Sequence, residues 1–312
     1  MSKKLIIMAR VNEYMSREAN RHVPFTPDEI AQAAAECEAA GASIVHFHAR
    51  NSDGSPSYDP KVYLEIIEKI RSRTSLIIDS TLGQNTIKGD EARSAHILEM
   101  GKTPNARADM AAIDVGSTNI DEYDKTNKRF ITTNKTYVNT IDTIMFLAER
   151  MHAAGVKPHL TCWTIPFLRT ADALLDMHVF HEPSYVQFSF CEGGILGGHP
   201  CTIDGALAFV NSLPRDRRIE WTVTCKEGNV LPAASVALER GGHISTGIGD
   251  YTYPEFNYPS NAAVIEFFAK LGRAYGREIA TPADARIMLG LTKSDIAQFS
   301  HLKHQLVMDE VK

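Results

Sequence analysis

Eight times along this chain a short apolar run is followed by a segment whose apolar residues fall at helical spacing, and this alternation restricts the fold more than any other feature. The runs are Leu5–Met8, Ser43–Ala49, Ser75–Asp79, Met110–Val115, Val156–Cys162, Tyr185–Phe190, Ile219–Cys225 and His243–Ile248. Helices are expected between them: Thr26 to Gly41, Asp59-Pro60 to Arg73, Ile87–Met100, Asn139–Ala154, Ala171–His178, Thr202–Leu213, Leu231–Arg240 and Asn261–Tyr275. The first has Thr26 as a cap, Pro27 at its first position and Asp28 and Glu29 at the positive end of its dipole. Strands joined through helices must run parallel, because each pair needs a crossover. Eight such units most simply close into a (β/α)8 barrel of the TIM type. A doubly wound sheet is the rival, but no G-x-G-x-x-G follows the first strand.

The barrel is expected over residues 1–291. A further helix, Pro282–Leu289, follows the eight units, and 292–312 forms a C-terminal extension with a last helix near Lys293–Val311. That extension is expected to pack on the barrel or on a neighbouring subunit. The charged stretch 121–129 reads as a solvated loop.

The 312 residues carry a net charge of −5, which speaks against a general nucleic-acid binder. No stretch approaches the length of a membrane span, and the opening residues lack a secretory pattern. The five cysteines, Cys37, Cys162, Cys191, Cys201 and Cys225, contain no C-x-x-C pair. They read as buried small hydrophobes in a protein of the reducing cytoplasm.

His46 and His48 stand two apart at the end of the second strand, so both imidazoles point to one face. Active sites of this fold lie at that end of the strands. Two imidazoles there suit either a metal ion or a hydrogen-bonded polar mouth. The glycine-rich loop 192–199, with Gly193 and Gly194, offers backbone N–H groups to an anion, and so does the turn Glu227-Gly228-Asn229. Tyr251, Tyr253, Phe256 and Tyr258 could wall a ligand or simply pack.

Val45-His46-Phe47-His48-Ala49-Arg50, with Asp53-Gly54 and Ser57, strongly resembles the β-keto acid cleavage enzymes, relatives of 3-keto-5-aminohexanoate cleavage enzyme. Pro24-Phe25-Thr26-Pro27-Asp28-Glu29-Ile30, Gly241-Gly242-His243 and the segment from Gly276 to Arg286 with Leu289 fit the same pattern, so the resemblance runs over roughly residues 4–291. It implies a zinc-bearing barrel, one ion per chain, usually a dimer or tetramer, that transfers the acyl part of a β-keto acid to coenzyme A. With acetyl-CoA as co-substrate the products are acetoacetate and a new acyl-CoA. By the same resemblance His46 and His48 bind zinc, Ser80 contacts substrate and Asp250 is the catalytic aspartate.

The chain departs from the family pattern at several places. It has Ser245 in place of an arginine and Gly249 in place of the glutamate that is the third zinc ligand. His159 and Thr161 replace glutamates of the fifth strand, and Asn12-Glu13-Tyr14 replaces a Thr-Gly-Ala turn. Catalytic zinc takes three protein ligands, so another residue must serve. Glu227 is the favoured substitute, and Glu13, His159 and Asp250 are the others. Lys226, Arg50 or Arg10 could stand in for the arginine. Arg50, Asn12, Glu13, Gly193 and Gly194 are expected to bind substrate. Two rival functions remain: a metal-dependent aldol-type lyase or hydrolase without CoA, and a non-catalytic metal- or ligand-binding barrel.

Overall fold

The computed structural model describes residues 3–82 and 89–292. The expected helix Lys293–Val311 and the start of the expected helix Ile87–Met100 lie outside the described residues.

The eight apolar runs form the strands of one closed parallel barrel: β1 (Ile7–Arg10), β2 (Ile44–His46), β3 (Ile77–Thr81), β4 (Met110–Asp114), β5 (Lys157–Cys162), β6 (Ser184–Cys191), β7 (Ile219–Lys226) and β8 (His243–Thr246). Each strand pairs with its sequence neighbour, and β8 closes on β1 through Ile7↔Ile244 and Met8↔Ser245. The architecture is a (β/α)8 barrel.

The crossovers are α1 (Pro27–Ala40), α2 (Pro60–Arg73), α3 (Asp90–Lys102), α4 (Ile141–Ala154), α5 (Ile165–Asp176), α6 (Ile203–Asn211), α7 (Leu231–Arg240) and α8 (Asn261–Ala274). Thr26 and Glu29 cap α1 reciprocally, and Gly41 ends it at φ 114°, a conformation that favours glycine. The structure starts α5 at Ile165, earlier than the expected Ala171. Pro166 falls in its first turn, where a missing N–H costs nothing. The stretch 121–129 contributes a small antiparallel ribbon, Tyr123–Asp124 with Arg129–Phe130, rather than a plain loop. The Asp124 carboxylate accepts from the N–H groups of Thr126 (2.9 Å) and Asn127 (3.0 Å), which builds the turn inside the charge run.

Two cores result from the alternation of side chains along each strand. The outward residues, such as Ile78, Ala111, Phe188 and Val223, pack against the helices. The inward residues sort by level. Register places Met8, Ile44 and Ile77 together, and Arg10, His46 and Asp79 two residues further on. The lower level is largely apolar and, with Ile6, Met110 and Tyr185, sits on Ala285 and Leu289 at helix α9 (Pro282–Met288). The upper level is polar, so the barrel is plugged below and chemically equipped above. All five cysteines are free and buried. Among the described residues no helix is long and apolar enough to cross a membrane.

Helix α9 floors the barrel and is held by a capping box of Thr281 and Asp284. Thr281→Ala should cost about 1 kcal/mol of stability. Urea unfolding followed by circular dichroism checks this; an unchanged midpoint would show that the floor does not depend on the cap.

Candidate active site

A cavity of about 370 Å³ opens at the C-terminal end of the strands, and residues from β1 to β8 and their following loops line it. His46 and His48 both reach it, as their spacing requires. Their rings lie 5.4 Å apart, centroid to centroid.

The third member of the cluster comes from the turn after β1. Glu13 Oε1 stands 3.1 Å from His46 Nε2, and Oε2 stands 2.8 Å from His48 Nε2. One ligand atom from each of Glu13, His46 and His48 falls within 4.8 Å of the others, and all three residues are buried. Burial alone would raise the pKa of Glu13, but Arg10, His48 and His46 hold it well below the ordinary carboxylate value. Burial pushes His48 down to about 4 despite the Glu13 charge, so its imidazole is neutral near pH 7.

Asp79 fixes the orientation of His46. Its Oδ2 lies 2.7 Å from His46 Nδ1 and 3.0 Å from His159 Nδ1. Burial acts to raise the Asp79 pKa, yet the two histidines bring it below the usual range, so the group is a carboxylate that only accepts. Both Nδ1 atoms must therefore carry hydrogen. His46 Nε2 then faces an ionised carboxylate with its lone pair unless a proton or a cation lies between them. A neutral histidine, a second histidine held by a buried acid, and a carboxylate are a fitting donor set for a divalent metal such as zinc.

Arg10 ties this cluster to Asp250. Its Nη2 lies 2.5 Å from Glu13 Oε1, its Nε 2.5 Å from Asp250 Oδ2, and its Nη1 donates to Gln187 Oε1 at 3.3 Å. Thr224 Oγ1 donates to the same Asp250 Oδ2 at 2.9 Å. Burial lifts the Asp250 pKa above its ordinary value against the pull of Arg10, and the Glu13 charge adds to the rise.

The turn that carries Glu13 is rigidly built. The Asn12 amide donates to the carbonyls of His48 (2.9 Å) and Pro24 (3.1 Å), and its oxygen accepts from His48 N–H (2.9 Å). Arg50 donates to the carbonyls of Asn12 (2.8 Å), Glu13, Met15 (3.2 Å) and Gly54 (2.7 Å). Glu13 itself sits at φ 36°, a backbone conformation that a non-glycine residue holds only when its surroundings enforce it. Gly249 packs against this turn: a Cβ there would lie 2.7 Å from Asn12 N and 2.8 Å from Glu13 N. The site thus has a carboxylate from the β1 turn where no side chain can grow from position 249.

Several of the expected site residues lie elsewhere than on the cavity wall or in the histidine cluster. Asn12 and Arg50 do not line the cavity, and every polar contact described above goes to backbone of the turn and its neighbours. Glu13 belongs to the histidine cluster. Ser80 falls on the face of β3 opposite Asp79, in register with the outward-facing Ala111, and does not reach the cavity. Asp250 lines the cavity, held by Arg10 and Thr224. Glu227 lines the cavity but stands outside the histidine cluster. It adopts φ 57°, and its Oε2 accepts from Gly194 N–H at 3.2 Å. That bond occupies one N–H of the expected anion loop, and Gly193, at φ 68°, packs directly against the same carboxylate. His159 is the partner of Asp79 and not a member of the cluster. Tyr253 is buried and stacks on Phe256 at 5.6 Å, and neither residue reaches the cavity. Arg10 was among the expected stand-ins for the arginine; Asp79 as an organising group escaped the sequence reading, although an acid ending an apolar strand in register with His46 was a visible signal.

Comparisons with known proteins agree over the whole barrel. A family model described as beta-keto acid cleavage enzyme matches residues 4–291. The chain is 27% identical over 296 residues to the 3-keto-5-aminohexanoate cleavage enzyme of Acetoanaerobium sticklandii, covering 94% of this chain and 100% of that protein. It is 29% identical over 300 residues to the 3-oxoadipate:acetyl-CoA acetyltransferase of Cupriavidus necator, covering 95% of this chain and 98% of that one. The apo structure of ObcA superimposes with a TM-score of 0.68 at 15% identity, over 86% of this chain and 65% of that chain, a likeness of fold.

If the Glu13 cluster seats a divalent ion, Glu13→Gln should abolish stoichiometric zinc binding, whereas Glu227→Gln should retain it. Asp79→Asn should weaken it by about 10- to 100-fold, as loss of a carboxylate behind a histidine ligand does. Zinc titration against a chromophoric chelator reads all three; loss of zinc in Glu227→Gln with retention in Glu13→Gln would reverse the assignment.

Proposed function

The chain belongs to the β-keto acid cleavage enzyme family, and from that premise we propose that it transfers the acyl part of a β-keto acid to coenzyme A, with acetyl-CoA as co-substrate and acetoacetate as the second product. The observation that carries this reading is the convergence of Glu13, His46, His48 and Asp250 on one cavity, joined through Arg10. The name of the Cupriavidus necator relative, which pairs a 3-oxo acid with acetyl-CoA, supports the choice of co-substrate.

Glu13 and the Nε2 atoms of His46 and His48 would hold the metal, zinc in this reading. A divalent ion bound there supplies Lewis-acid polarisation of the 3-oxo carbonyl. The protein's own groups do the rest. Asp250 Oδ2 is held by Arg10 and Thr224, which leaves Oδ1 to take the proton from C2 of the substrate. Its raised pKa makes it a stronger base than an exposed aspartate. Arg10 keeps the carboxylate aimed and shares its charge with Glu13.

Over the full reaction the C2–C3 bond breaks and C3 leaves with its acyl chain on the CoA sulfur. C2 takes the acetyl group as the thioester C–S bond of acetyl-CoA breaks, which frees the sulfur that receives C3, and the proton held by Asp250 returns to C2 in acetoacetate. Trp163, Tyr137, Ile120 and Ile195 line the cavity wall and help keep water from the reacting carbons.

A panel of 3-oxo acids assayed with acetyl-CoA and zinc should yield acetoacetate, and none when acetyl-CoA is omitted. Asp250→Asn should lower kcat by about 10²- to 10⁴-fold while zinc content stays the same. Product formation without acetyl-CoA, or full activity in Asp250→Asn, contradicts the assignment.

A further inference from the structure

Besides the histidines, two cationic residues line the cavity, Arg10 and Lys226. Arg10 is spent on Glu13 and Asp250. Lys226, the last residue of β7, has its ammonium 5.1 Å from the centroid of the Trp163 ring. Its chain neighbour Glu227 could neutralise it, but that carboxylate turns to Gly194 N–H instead. Among the described residues Lys226 makes no ion pair within 4.0 Å, although Asp250 lies near enough to feel its charge.

The surface beneath Lys226 is fixed. Trp163 Nε1 donates to Asp114 Oδ1 at 2.8 Å and Tyr137 OH donates to Asp114 Oδ2 at 2.8 Å. Both Asp114 oxygens therefore hold neutral donors, and the Trp163 bond orients the indole plane that carries the ammonium. An ammonium resting on an aromatic face is attracted by the ring yet keeps its N–H donors free for an anionic ligand, whose charge-assisted hydrogen bonds are stronger than neutral ones.

We infer that Lys226 is a specificity-determining residue that receives an anionic group at the far end of the acyl chain, so that the preferred substrates are 3-oxo acids with a second, distal carboxylate. The inference rests on the reading of this cavity as the seat of a 3-oxo acid. A substrate with a cationic end would meet Lys226 unfavourably, and one with an apolar end would leave the ammonium without a partner. The phosphates of coenzyme A share the same anionic chemistry, and the test separates the two sources.

The pair to compare is a six-carbon 3-oxo diacid and the six-carbon 3-oxo monoacid, in the wild-type protein, Lys226→Met and Lys226→Arg. The wild type should favour the diacid in kcat/KM at least about tenfold, which corresponds to the roughly 1.4 kcal/mol of one charge-assisted contact. Lys226→Met should remove that preference and Lys226→Arg should keep it, with KM for acetyl-CoA unmoved. An unchanged ratio in Lys226→Met overturns the inference, and so does a rise in KM for acetyl-CoA that is equal for both acids. Calorimetric binding of adipate and hexanoate needs no turnover and stands apart from the transfer reaction. Tighter binding of adipate in the wild type, lost in Lys226→Met, supports the inference even if no acetoacetate forms; equal binding of the two in the wild type sinks it.

Discussion

The site depends on one buried carboxylate, that of Glu13, placed against two imidazoles and a guanidinium at the top of an otherwise closed barrel. A charge with so little contact with water survives only when every side of it is compensated. Arg10 compensates one side, and the histidines compensate the other only if a proton or a cation lies between. The rest of the architecture serves that arrangement. The apolar lower level excludes water from beneath, Asp79 fixes the protons of His46 and His159, and Asn12 and Arg50 pin the turn whose strained backbone presents Glu13.

The same charges organise the proposed chemistry. Arg10 touches Glu13 with one nitrogen and Asp250 with another, so the metal-ligating and proton-transferring groups share one positive centre. Both of these charged groups come from the end of β1 and the turn after it, Arg10 from the strand and Glu13 from the turn. Ser245 now lies at the level of Met8, with its hydroxyl 3.2 Å from the Met8 sulfur, one level below Arg10. Gly249 is bare because the Glu13 turn occupies the space of its side chain. A side chain at 249 and the present β1 turn could not both be accommodated.

Much of this was legible in the sequence because it follows from periodicity. Strand alternation places the two histidines on one face, and eight strand–helix units specify the barrel and the end at which its site lies. The third member of the cluster was harder to see. Glu13 and Glu227 both follow strands that lie near β2 or β8, and no spacing rule distinguishes a carboxylate that turns inward from one that ties two loops together. That choice was made by backbone hydrogen bonds, those of Arg50 to the 12–15 turn and of Gly194 to Glu227. Ser80 shows the converse. Resemblance of motif suggested contact with substrate, but the parity of β3 gives the inward position to Asp79. Parity was readable from the strand itself, since an acid between Ile78 and Ser80 has to be buried on the same side as His46.

Anomalous diffraction at the zinc edge, from crystals of the zinc-exposed protein, addresses the core of this account. One peak bounded by the Nε2 atoms of His46 and His48 and the carboxylate of Glu13 is the expected result. A peak bound by Glu227, or none in the cavity while the two rings keep their present positions, would contradict it.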